Sequence, residues 1–211
     1  LHSTSRRQRQ MCIRDSYEDA QKIAEAAVAH PYGVIESNDN NPTMQSNSNL
    51  SFTYNNPIHS ISSAEGYEED VMGATMDAYL NGFEDPRRAV FFALSSNGNY
   101  RGLRNGHKNG DIFKGDEGLS KPNIQQGTPY IWMTAAEVFF LRAEGALKQW
   151  DMKGTPEALY KSGIRASFEQ HGVKNVENYL VSTKVPARYP GFKASPSVPA
   201  PSDITVVWNT S

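Results

Sequence analysis

Two loop clusters hold residue types that could bond a polyhydroxylated ligand. The first is "NGNYRGLRNGH", which carries Asn97, Asn99, Tyr100, Arg101, Arg104, Asn105 and His107. The second comprises Asn38, Asp39, Asn40, Tyr54 and Asn55. An aromatic face can stack on the apolar side of a pyranose ring, while amides, carboxylates and guanidinium forks bond its hydroxyls. The same residues also suit plain turns, because Asn and Gly enter turn conformations at little steric cost. Both readings stay open at the level of residue type.

Catalytic chemistry finds less support. Glycoside hydrolysis needs two carboxylates held about 5 to 9.5 Å apart across a cleft. Glu65, Glu68, Glu69 and Asp70 do lie close in sequence, but at a helix start, where acids favour the helix dipole. There is no Gly-x-Ser-x-Gly, no phosphate-binding loop and no His-Glu-x-x-His, and the five His are scattered. "NGDIFKGDEG" has acids and carbonyls for calcium but not the twelve-residue loop pattern. No catalytic residue, metal or cofactor is expected.

The elements that would position such loops are helical. In "TPYIWMTAAEVFFLRAEGALKQW" (128–150), Thr134 and Glu137 have capping-box spacing. Ala135, Ala136, Phe139, Phe140, Ala143, Ala146, Leu147 and Trp150 fall on one broad arc, and Val138, Leu141 and Gly145 on a second strip. Two apolar strips predict two packing partners where a surface helix has one. Trp132 and Trp150 read as core, and Glu137, Arg142 and Glu144 as capping and buried-edge pairings.

After the short connection "DMKG", Thr155 and Pro156 start a second helix whose Leu159, Tyr160, Gly163, Ile164, Ser167 and Phe168 recur at helical spacing up to Gly172. A short loop between two helices predicts an antiparallel hairpin over 134–149 and 156–170, with Phe139, Phe140, Ala143, Leu147, Tyr160 and Ile164 buried. Further helices are expected from Ser16 or Tyr17 to Pro31, from Ala64 to Asn81, and at "VENYL"; "AVFFAL" (89–94) reads as a strand. The expected fold class is mainly α: tetratricopeptide-like helical hairpins with long irregular loops and a few short strands.

The chain has 211 residues, net charge −2 and 38% hydrophobic residues. Residues 1–16 carry four Arg and one Asp, which leaves −5 on the remainder. A mildly acidic body lacks the basic face that nucleic-acid phosphates demand. "LHSTSRRQRQMCIRD" (1–15) has no apolar core of a secretory signal. It resembles the chance translation of a sequencing-library adapter and is expected to be a disordered, non-native leader. The lone cysteine, Cys12, lies within it, so neither disulfides nor thiolate chemistry is expected in 16–211.

These pieces, in this order, resemble the SusD/RagB family of surface glycan-binding lipoproteins. The most specific stretch is "TPYIWMTAAEVFFLRAEGALKQWDMKGTPEALYKSGIRASFEQHGV", with support from "YGVIESNDN", "YLNGFEDPRRAVFF" and "ITVVWN". The likeness runs from Ser16 to Ser211, and residues 16–211 read as one such domain, truncated at both ends.

The resemblance implies a helical scaffold beneath a loop-rich binding face. It also implies an oligosaccharide or other small nutrient as ligand, a SusC-like TonB-dependent transporter as partner, and an outer-membrane position through a lipid anchor absent from this stretch. A tetratricopeptide-like protein-interaction module and a divergent glycoside hydrolase are the alternative functions.

Overall fold

The computed structural model describes residues 17–46, 56–62, 70–106, 118–193 and 195–209. Residues 1–15 with Cys12, and Tyr54, Asn55 and His107, lie outside them. Seven helices occur among the described residues: α1 (Tyr17–Ala29), α2 (Pro57–Ser62), α3 (Ala74–Gly82), α4 (Arg88–Phe91), α5 (Ala135–Leu147), α6 (Pro156–Gln170) and α7 (Val176–Leu180). One antiparallel pair of two-residue strands joins β1 (Thr43–Met44) to β2 (Tyr130–Ile131), with Thr43 opposite Ile131. The chain is mainly α, as its periodicity predicts. It divides into two compact units, Leu1–Pro42 with Trp132–Gln170, and Thr43–Ile131 with His171–Ser211.

The first unit is built on the expected hairpin. Thr134 Oγ1 accepts the Glu137 N–H at 3.0 Å, and Thr155 Oγ1 accepts that of Ala158 at 3.2 Å, so both starts are capped by the residues their spacing indicates. Ala135 and Ala136 pack on Ala166, and Ala143 packs on Leu159 and Met152. The start of α5 therefore meets the end of α6, an antiparallel register. Close approach depends on Gly163, where a Cβ would stand 2.8 Å from the Phe140 ring. Ala24 and Val28 of α1 pack against the Ala143–Met152–Leu159 cluster and form its second partner. Arg142 is buried, with Nε donating to the Met152 carbonyl at 3.1 Å and Nη1 to Glu36. Glu144 pairs with Lys148 one turn on.

Several expectations need correction. Leu147 of the broad arc is 61% exposed and Leu141 of the second strip 54%, so both are wider in sequence than the surface that is covered. Phe140 covers Gly163 yet stays 37% exposed, and Trp132, expected in the core, is 68% exposed. In the second unit the helix expected from Ala64 begins only at Ala74, and residues 63–69 lie outside the described segments. Met72 is instead extended: its N–H donates to the Ser120 carbonyl, and its own carbonyl accepts from Leu103. The first half of the expected strand "AVFFAL" belongs to helix α4, with extended backbone at Phe92. Asp85 explains this, because its carboxylate accepts the Arg87 N–H and holds the turn that starts the helix.

The core of the second unit gathers Met72, Ala78, Leu80, Leu119, Leu180, Tyr189 and Val206. Gly82 ends α3 where the strand-like segment 185–187 crosses it. A Cβ there would collide with the Ala187 backbone nitrogen, and the Ala187 N–H bonds the Ala78 carbonyl at 2.8 Å.

Candidate functional site

The first loop cluster is fastened from below by one buried acid. Asp77, 3% exposed on α3, accepts the Gly102 N–H at 2.7 Å and the Asn81 side-chain amide at 2.9 Å, and Arg101 lies 3.7 Å away. Asn81 also donates to the Tyr100 carbonyl at 2.9 Å. Gly102 sits so close to the Gly73 carbonyl that a Cβ would stand 2.7 Å from its oxygen. From the far side the Tyr189 hydroxyl donates to the Gly102 carbonyl at 2.9 Å. Burial pushes the Tyr189 phenol above its ordinary range, which keeps the donating proton in place.

With residues 100–103 held in this way, Arg104 and Asn105 emerge exposed at the edge of a groove of about 250 Å³. Ala74, Thr75 and Ala78 of α3 form one side, and Tyr189, Val198 and Pro199 another. The groove is mostly apolar, with a guanidinium, an amide and two hydroxyl-bearing side chains among its lining groups, and no carboxylate lines it among the described residues.

The other residues of that cluster have different positions. Tyr100 is half-buried, with the Arg88 guanidinium 5.2 Å from its ring centre. Asn99 accepts from the Ser95 hydroxyl at 2.8 Å, and its carbonyl accepts the Ser95 N–H, which closes a tight turn around Gly98 (φ 73°). Asn97 is exposed on that turn.

Asn38, Asp39 and Asn40 belong to the first unit, where they form a single turn of 3-10 helix. Asn38 clamps that turn to α6 by donating to the Ala166 carbonyl at 3.0 Å and to Glu169 at 3.1 Å. Asp39 and Asn40 are exposed. The structure thus brings Arg104 and Asn105 to one groove and puts Asn38 and Asn99 to local structural use. Sequence reasoning missed Tyr189, Thr75 and Val198. The only signal for Tyr189 was an aromatic residue between prolines in "VPARYPGF".

Among the described residues no group of three His, Cys, Asp or Glu side chains could share a metal ion. No described helix is long and apolar enough to cross a membrane.

Comparison with known proteins places this architecture. No curated protein sequence matches the chain. Among solved structures, a SusD homologue from Bacteroides thetaiotaomicron is 36% identical with a TM-score of 0.80, over 94% of this chain and 40% of its own. A chitin-binding SusD homologue from Flavobacterium johnsoniae is 35% identical with a TM-score of 0.82, over 94% of this chain and 41% of its own. A SusD homologue from Bacteroides uniformis is 34% identical with a TM-score of 0.80, over 94% and 41%. The chain spans about two fifths of the length of these relatives. The family model for SusD-like proteins, the SusD and RagB outer membrane lipoproteins, matches residues 9–211, and the chain belongs to that family.

Proposed function

We propose that this chain is part of a non-catalytic glycan-capture protein of the outer membrane, which binds oligosaccharide and passes it to a SusC-like TonB-dependent transporter. The observation that carries this reading is the groove beside Arg104 and Asn105. It combines an apolar floor with a few hydrogen-bonding groups on a rigid base, the usual build of a small-ligand site. Family membership and the chitin-binding relative support sugar as the ligand class. Asn97, Tyr100 and Arg101 belong to the same loop as Arg104 and are proposed as further contacts, as are His107, Tyr54 and Asn55; Asp39, in the first unit, is a separate candidate. The family description of outer membrane lipoproteins supports a lipid-anchored position, which we read as facing the cell exterior.

Affinity electrophoresis against a polysaccharide panel that includes soluble chitin tests the reading. One or more glycans should retard the protein without release of reducing sugar. Arg104→Ala should weaken binding at least tenfold, or about 1.4 kcal/mol, with an unchanged melting temperature. Retardation by none of the glycans would sink the proposal, and release of reducing sugar would replace it with a hydrolase.

A further inference from the structure

A second open pocket of the second unit, about 440 Å³, lies where the turn after α3 faces α7 and the segment that follows it. Its size falls in the range of small-ligand sites, roughly 300–1,000 Å³. Its floor is built on a buried network. The Asp85 carboxylate accepts from Arg87 Nε at 2.9 Å and from the Tyr179 hydroxyl at 2.9 Å, and Arg87 lies 5.4 Å from the Tyr179 ring centre. Tyr179 and Pro86, which both line the pocket, are therefore held from beneath.

The rim has the opposite character. Asn175, Asn178 and Thr183 are exposed, and their side chains have no hydrogen-bond partner among the described residues. Val181, 68% exposed, adds an apolar face, and the Glu84–Lys184 ion pair flanks it. Glu84 (φ 49°) and Asn175 (φ 66°) both hold left-handed backbone on this rim. Glu84 follows the end of α3 and Asn175 precedes the start of α7, so two helix ends fix the backbone of the rim.

We infer that this pocket is a second sugar subsite, distinct from the groove at Arg104. A pyranose would lay its apolar face on Val181 and Pro86 and direct its hydroxyls to Asn175, Asn178 and Thr183. Their amides and hydroxyl supply donors and acceptors around a floor that the Asp85 network holds in place. The inference rests on the glycan-binding reading above.

Calorimetric titration separates the two. Chitotetraose, maltotetraose, laminaritetraose and xylotetraose would each be titrated into the protein and into Arg104→Ala, Asn178→Ala and Val181→Asp. The expected result, for at least one of these sugars, is two binding steps. Asn178→Ala and Val181→Asp should each weaken one step at least tenfold and leave the other intact, and Arg104→Ala should do the reverse. One step that neither pocket variant changes would overturn the second subsite and leave glycan capture standing. No heat from any of the four sugars would overturn both.

Discussion

Asp85 shows how much can rest on one carboxylate. It is 2% exposed and accepts two hydrogen bonds from the Arg87 guanidinium, one from the Arg87 backbone and one from Tyr179. Burial pushes its pKa up, but the bonds and charge of Arg87 outweigh burial and leave the carboxyl below its ordinary value. The folded value therefore lies under the unfolded one, near 3.9. The stabilisation is complete above about pH 4 and is lost as pH falls through the folded value. Asp85→Asn should cost about 3–5 kcal/mol at pH 7, since it removes the counter-charge of the half-buried Arg87 guanidinium. It should also flatten the steep acid limb of a stability–pH curve followed by urea denaturation. An acid limb unchanged in the variant would show that other carboxylates govern acid unfolding.

At the scale of elements, the side-chain-capped starts of α5 and α6 were legible in the sequence and helix surroundings were not. Thr134 and Thr155 announce their helices because capping is local chemistry between residues three apart. Leu147 misleads because periodicity assigns a face, whereas exposure depends on what covers it, and α1 and α6 leave it open. Met72 misleads for a related reason: its helical spacing is overruled by backbone bonds to Ser120 and Leu103, partners distant in sequence. The groove was half legible. Arg104 and Asn105 stand in a loop of the expected composition, but Tyr189 arrives from a segment eighty-odd residues later.

These differences make a ranked prediction for thermal or chemical unfolding. Ile164→Ala, at a site 4% exposed, should cost about 2–5 kcal/mol. Leu147→Ala should stay within about 0.5 kcal/mol, as exposed substitutions do. Gly82→Ala should cost about 1–3 kcal/mol, because its methyl would displace the segment at Ala187. Equal costs for Ile164 and Leu147 would contradict the burial pattern of the hairpin.

For the whole molecule, charge decides what kind of ligand the fold can capture. A net charge of −2 over 211 residues provides no long-range attraction for polyanions. At the groove, Arg101 faces the buried Asp77 and Arg88 lies against Tyr100, which leaves Arg104 as the cation on the lining among the described residues. A neutral glycan held there would depend on apolar contact and hydroxyl bonds, which are short-ranged. Salt shortens the Debye length from about 10 Å at 0.1 M to about 3 Å at 1 M and weakens mainly interactions between separated charges. The dissociation constant for a neutral glycan should therefore change less than about threefold between these salt concentrations, measured by calorimetry. A uronic-acid or sulfated glycan would bind through Arg104 as a charge partner and lose affinity steeply over the same interval. A tenfold loss for the preferred glycan would mean that the captured nutrient is acidic. The arginine would then act as its counter-charge, where a neutral sugar would use it as one hydrogen-bond donor among several.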